Sequence, residues 1–349
     1  MPKTYRNLYP RIYDFENLFK AYLKARKNKR YTEEALEFSA NLEENLIGLQ
    51  NDLIYRTYRP GRYREFYIYE PKKRLVAAPP FRDRVLHHAI CNVIEPIFEA
   101  RFIYDTYACR PGKGTHKGAD RVTYFLRVTK RKWGRVYCLK CDIKQYFPSI
   151  NHRILKDILR KHIGCRDTLA LLDCIIDSVA DKDDPNPTGL PIGNLTSQLF
   201  ANIYLSELDY FIKHDLRVRY YVRYMDDFVI LHNDKRFLRR LKGEIESFLD
   251  RNLALELNGK TSIFPVSQGI DFLGYRIWST HRLLRKSSIK RMRRRLKRFK
   301  KQWKEGKLDP ARVRASIASW LGHCRHANTH RITQKILSEF RFGPGEKEQ

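Results

Sequence analysis

Apolar residues recur at helical spacing near the start of the chain. Ile12, Phe15, Phe19 and Tyr22 predict a helix over 12–23. A longer helix is expected after Thr32, whose hydroxyl can cap it, with Ala35, Phe38, Leu42, Leu46, Leu49 and Leu53 as its packing face. From Tyr58 the pattern changes: Arg62, Arg64, Lys72, Lys73 and Arg74 alternate with Tyr63, Phe66, Tyr67, Ile68 and Tyr69, as in a basic, aromatic-interleaved sheet. Pro79-Pro80 ends it and opens an apolar helix through Val85, Ile90, Val93 and Ile97. Arg135 to Cys141 reads as a strand ending on Asp142; after a turn at Pro148, Asn151 can cap a helix with Ile154, Leu155 and Ile158.

A further helix carries Leu199, Phe200, Ile203, Tyr204 and Leu208. Aromatic and β-branched runs then flank Tyr224-Met225-Asp226-Asp227, which is short enough to be only a tight reversal between two strands. Phe237, Leu238, Leu241, Ile245, Phe248 and Leu249 predict a helix, Leu253, Leu255 and Leu257 alternate like a strand, and a second hairpin is expected over 270–275. The middle of the chain thus reads strand, helices, hairpin, helix, strand, an α+β pattern. Near residue 285 the composition shifts. Ile289, Met292, Leu296, Phe299 and Trp303 recur beneath a crowd of Lys and Arg, Asp309-Pro310 starts a second helix with Val313, Ile317, Trp320 and Leu321, and Ile332, Ile336 and Phe340 suggest a third.

Charge narrows the partner class. Lys and Arg total 69 against 39 acids in 349 residues, a net +30 that points to a polyanion, and 21 Tyr with 19 Phe offer stacking surfaces for bases. A basic ribosomal-type protein would share the charge without needing an acidic cluster. Seven scattered cysteines suit a reducing cytoplasm. Cys138 and Cys141 lie three apart on a strand, pointing to opposite faces, so they are poor zinc ligands. Cys324, His326 and His330 read as a solvated or RNA-facing helix surface. No apolar run reaches ~18 residues and the start lacks a signal-type apolar region, so a cytoplasmic protein without membrane contact is expected.

The acids carry the chemistry. Asp is common in turns, and an isolated Asp226-Asp227 would mean no more than that. A third carboxylate, Asp142, at another strand end supplies what a two-metal phosphoryl-transfer site needs, and hard oxygen ligands suit Mg2+. Two glycine-bearing stretches could approach phosphate through backbone amides: the basic loop Arg110 to His116, and Gly189 to Gln198 leading into a helix. Asp181 to Pro187, with Lys182 in it, reads as a connector.

Taken in order, Pro79 to Arg84, Asp142 to Phe147, Gly189 to Gln198, Tyr224 to Asp227, Lys260-Thr261 and Phe272 to Tyr275 resemble the motif series of a reverse transcriptase. The resemblance covers nearly the whole chain and implies a right-hand polymerase: fingers and a palm with antiparallel sheet over 1–284, and a basic helical thumb over 285–349. It implies that Asp142 and Asp226 hold two Mg2+ ions (Mn2+ a substitute) with Asp227 less direct. It also implies that Lys73, Arg74 and Arg84 face the triphosphate, Phe147 screens the sugar 2′ position and Lys260 lies near pyrophosphate. Ile192, Gly193 and Gln198 would line the nucleotide site, and Phe272, Leu273, Gly274 and Tyr275 would form the primer grip. Ile192-Gly193 stands where such enzymes commonly carry Gln-Gly, and Ser197-Gln198 where they carry Ser-Pro. With Asn194-Leu195-Thr196 between, and Ser319 to Asn328 later, this resembles the reverse transcriptases of diversity-generating retroelements. That group implies a template-repeat RNA copied into cDNA from dNTPs with errors at template adenines, and a basic accessory variability protein as partner. The alternatives are a group II intron or retron enzyme, and a maturase-like RNA-binding protein that has lost catalysis. No zinc-endonuclease segment is expected after the thumb, unlike the intron form, and the three intact aspartates argue against the non-catalytic reading.

Overall fold

The computed structural model describes residues 4–69, 73–181 and 183–340; Lys72, Lys182 and the 341–349 stretch of the expected thumb fall outside them. Asp14 divides the first predicted helix into α1 (Tyr9–Tyr13) and α2 (Phe15–Ala25), its carboxylate accepting from the Asn17 amide. The long helix expected after Thr32 is also two, α3 (Glu33–Ala40) and α4 (Leu42–Ile54). The break falls at Asn41, and the Asn45 side chain donates to the Phe38 carbonyl that the break frees. Thr32 does not cap α3, because its hydroxyl donates backwards to the Lys29 carbonyl at 2.9 Å. Next come the antiparallel hairpin β1 (Arg64–Ile68) and β2 (Arg74–Ala78), then α5 (Phe81–Glu99), which buries residues on nearly every side.

After α6 (Thr115–Trp133) the chain enters β3 (Tyr137–Asp142), then α7 (Tyr146–Ser149), α8 (His152–Arg160), α9 (Arg166–Ile176) and α10 (Leu195–Tyr210). Asn151 caps α8 as expected, accepting from the Ile154 amide. The hairpin β4 (Tyr221–Tyr224) and β5 (Asp227–His232) leads into α11 (Lys235–Leu253) and β6 (Ser262–Pro265). The sheet order is β4-β5-β3-β6, antiparallel throughout. The strand expected through Leu253, Leu255 and Leu257 does not form. Leu249 and Leu253 are buried as part of α11, Ala254 turns the chain at φ 49, and Leu257 makes only a single bridge to Ile143.

Both faces of this sheet are covered, and the two-residue alternation of the strands sorts side chains between them. Leu139, Cys141, Tyr221, Phe228 and Ile230 join the core shared with α2, α4, α5, α8, α10 and α11. Cys138, Val222, Val229 and Leu231 join a second core with α6 and the C-terminal elements. Those elements are the meander β7 (Ile270–Phe272), β8 (Tyr275–Ile277) and β9 (Arg282–Leu284), followed by α12 (Lys286–Lys304), α13 (Pro310–Cys324) and α14 (His330–Glu339). Along α12 only Met292, Leu296 and Phe299 are buried, which leaves its Lys and Arg residues outward or half-exposed.

Candidate active site

Strand register brings the three aspartates together. Asp142, the last residue of β3, and Asp227, the first of β5, are paired opposite each other, and Asp226 belongs to the two-residue tip between Tyr224 and Asp227. The Ile143 amide donates to the Asp226 carbonyl at 3.3 Å, which ties the tip to the residue after Asp142. Met225, the other tip residue, stands at φ 55, in the left-handed region that non-glycine residues seldom adopt.

Each carboxylate has a distinct environment. Asn258 brackets Asp142, donating from its amide to the carbonyl at 2.7 Å and from its side chain to Oδ2 at 3.1 Å. Lys140, on the same face of β3, approaches Asp227 Oδ1 at 3.7 Å. That oxygen is buried with no hydrogen-bond partner. Burial pushes the Asp227 carboxyl up to about 7; Lys140 opposes the rise, and the charges of Asp142 and Asp226 add to it. Burial also raises Asp226, as does Asp142, with Arg74 and Arg223 pulling the other way. Neither Asn258, Lys140 nor Arg223 stands out in the sequence, because each works through a partner 14 or more residues away or on another strand.

The other predicted residues are divided. Of the three expected triphosphate cations, Arg74 at the start of β2 acts electrostatically on Asp226. Lys73 is exposed and stands over the Tyr67 ring at 4.3 Å, and Arg84 is held by Glu34 and by the Pro79 carbonyl. Phe147 lies on α7, half-buried against Tyr146, and its carbonyl accepts from the Leu190 amide. Ile192 is also half-buried, and its carbonyl accepts from Ala77 of β2 at 3.0 Å. Gly193 is exposed, at φ 129, and a Cβ there would sit 3.0 Å from both Ala77 O and Val76 Cγ1. Gln198 is in the first turn of α10, partly buried, and Lys260 lies in the turn before β6, its amide donating to Asn258 Oδ1. In the expected primer grip, Phe272 and Tyr275 are fully buried while Leu273 (φ 54) and Gly274 (φ 87) form the tip between β7 and β8. The Tyr275 hydroxyl lies 2.8 Å from His323 Nδ1 and 3.1 Å from His116 Nδ1, so it joins β8 to α13 and α6.

Three carboxylates share the corner with Lys140 and Asn258, and Asp227 Oδ1 is buried without a hydrogen bond; hard oxygen donors of this kind suit a divalent cation. Among the described residues no three His, Cys, Asp or Glu side chains already stand together in ligating positions. Asp142 Oδ2 is instead occupied by Asn258. Elsewhere, Ile68 at the end of β1 and Tyr69 after it line a cavity of about 540 Å3 together with Arg295, Arg298, Phe299 and Arg312 of α12 and α13.

Three aspartates therefore meet at one end of the four-stranded antiparallel sheet. The family model for "Reverse transcriptase (RNA-dependent DNA polymerase)" matches residues 69–277, well over half the chain, and the chain belongs to that family. By class it is an RNA-directed DNA polymerase with a reverse-transcriptase-like fold. It is 28% identical to protein YkfC of Escherichia coli over 71% of this chain and 74% of YkfC. It is 26% identical to the group II intron-encoded protein LtrA of Lactococcus lactis subsp. cremoris, over 71% of this chain and 51% of LtrA, so it spans about half of that relative. Apo telomerase from Candida tropicalis aligns with a TM-score of 0.46 at 14% identity, over 69% of this chain and 60% of that one.

Proposed function

We propose that this reverse transcriptase copies a template-repeat RNA into cDNA, with errors concentrated opposite template adenines, and that the product diversifies a variable region of a target gene. In this reading α1 to α5 with the β1–β2 hairpin serve as fingers, the four-stranded sheet with its helices as palm, and the segment from residue 285 as thumb. Asp142, Asp226 and Asp227 would hold Mg2+ ions, which when bound lower the pKa of a primer 3′-hydroxyl and stabilise leaving pyrophosphate. The chain's own residues do the placing. Arg74 offsets negative charge at the Asp226 corner, Phe147 occupies the space beside the sugar, and Lys260 lies on the turn that also carries Asn258. Template RNA, the cDNA strand and dNTPs are the ligands, a basic accessory variability protein is the partner, and the cytoplasm is the compartment.

Ile192 carries the finer reading. It is half-buried rather than sunk in the core, and its carbonyl is pinned to β2, the strand that begins with Arg74. A hydrocarbon there can neither donate nor accept a hydrogen bond, so it cannot help fix an incoming nucleotide through polar contact. Each ~1.4 kcal/mol lost from the gap between right and wrong pairs is tenfold in discrimination. Adenine makes only two hydrogen bonds with thymine, so weak positioning shows there first. Ile192→Gln is expected to lower misincorporation opposite adenine more than opposite other bases, read by sequencing cDNA that both enzymes make on one RNA. An unchanged error spectrum would reduce Ile192 to packing. The similarity to LtrA favours a second reading, a group II intron-type enzyme. Sequencing around the gene separates the two: a near-duplicate repeat differing at adenines supports the first reading, and a flanking intron RNA supports the second.

A further inference from the structure

Arg223 points inward from β4, and neither it nor Asp209 of α10 reaches solvent. Its Nε and Nη2 donate to Asp209 Oδ1 and Oδ2 at 2.7 and 2.6 Å, a two-pronged contact, and the Tyr221 hydroxyl donates to the same Oδ1 at 2.7 Å. The remaining nitrogen, Nη1, donates to the Met225 carbonyl at 3.0 Å and lies 3.4 Å from Asn202 Oδ1. Asn202 in turn donates to the Ala108 carbonyl at 2.8 Å. The Arg223 backbone is fixed as well: its amide donates to Asp105 O, and its carbonyl accepts from Tyr107.

Stability does not by itself account for this pair. Removing two charges from water is costly, and a well-packed apolar pair in the same volume is often no less stable. What an apolar pair cannot do is hold a carbonyl. The carbonyl held here belongs to the residue immediately before Asp226, and that residue sits at φ 55, a conformation that persists only where its surroundings impose it. The guanidinium therefore joins α10, whose first turn carries Gln198, to the tip that carries Asp226.

We propose that Arg223 and Asp209 are positioning residues: they hold the Met225–Asp226 tip against Asp142 and couple the helix behind the nucleotide loop to the acid cluster. The inference rests on the reading of those acids as the catalytic, metal-holding group. The test replaces the network as a unit, Tyr221→Phe with Asp209→Leu and Arg223→Met, so that no buried charge or hydroxyl is left without a partner. Arg223→Lys is the second variant, since it keeps the charge opposite Asp209 but cannot serve both the carboxylate and the Met225 carbonyl. Melting temperature, template–primer affinity, primer-extension rate, and the Mg2+ concentration for half-maximal rate are measured. A readout independent of turnover is added: cleavage of the polypeptide near the acids by Fe2+-generated hydroxyl radicals.

The triple variant is expected to stay folded, melting somewhat below the parent because the Met225 carbonyl and Asn202 Oδ1 lose a donor, and to bind template–primer normally. Its extension rate should fall about 100-fold, as a misplacement of an ångström can cause, with a raised Mg2+ requirement and weakened Fe2+ cleavage. Arg223→Lys should fall between the two. A folded triple variant or Arg223→Lys with parental rate, metal requirement and cleavage overturns the proposal. So does a loss shared equally by template–primer binding with metal requirement unchanged. Asp226→Asn is the control: if it extends primers normally, the catalytic reading of the acids has failed, whereas an inactive Asp226→Asn beside a fully active Arg223→Lys means that only the positioning role has.

Discussion

Phe147 could act in two ways, and one substitution separates them. It follows Asp142 by five positions, at the end of a chain path kinked by Gln145 at φ 45, and half of it is covered by Tyr146 and the core. If it only packs, Phe147→Ala costs stability, up to ~3–5 kcal/mol for a full cavity and less for a half-buried ring. If it screens the sugar, the variant also accepts ribonucleotides at least ~10-fold more readily, a shift of ~1.4 kcal/mol between the two substrates. Incorporation of matched ribo- and deoxynucleotides by the folded variant decides it, and unchanged discrimination leaves Phe147 as packing.

At the scale of elements, the contact between the loop before α10 and β2 makes a sharper demand than either would alone. Gly189 and Gly193 both hold positive φ, yet a Cβ at Gly189 would meet Pro148 O at an ordinary 3.5 Å, whereas one at Gly193 crowds the Ala77 carbonyl and Val76. Gly193→Ala is therefore expected to destabilise by ~1–3 kcal/mol and to loosen the Ala77–Ile192 bond, and Gly189→Ala to cost less. Thermal melts of both variants, with amide exchange at Ala77, check this; equal losses would mean backbone strain alone matters.

Elements were legible where apolar spacing was regular: the hairpin around Asp226, the strand ending on Asp142 and the three C-terminal helices follow their periodicity. Three helices, α6, α7 and α9, are not among the expected elements, although the buried face of α6, with Ala119, Val122, Phe125 and Leu126, recurs at helical spacing among its cations; α7 is only one turn long. Asn41 and Ala254 stop elements by backbone turns that no hydrophobic pattern records. Arg223 is hidden for another reason. A charged residue in a strand reads as surface until the helix bearing Asp209 is seen to close over it.

For the whole molecule, charge placement matters more than its sum. Arg294, Lys297 and Arg298 of α12 are exposed, and Arg298 lines the cleft facing Ile68 and Tyr69. Each phosphate neutralised contributes ~0.7 to 0.9 to the slope of log affinity against log salt. Changing all three to Gln should lower the slope by about 2 to 3 for an RNA–DNA hybrid while leaving the melting temperature near the parent. Filter binding from low to physiological salt measures it, and an unaltered slope would remove α12 from the nucleic-acid path.

The sheet order has a consequence during synthesis. β3 is bonded on one side to β5 and on the other to β6, and both follow it in the chain, β5 beginning 85 residues after Asp142. A ribosome adding ~5–20 residues per second delivers that partner only ~4–17 seconds later. Until then the strand that ends in Asp142 emerges with both hydrogen-bonding edges bare and with Leu139 and Cys138 uncovered on opposite faces. The same central position that fixes Asp142 in the finished enzyme leaves β3 open to wrong pairing in the nascent one.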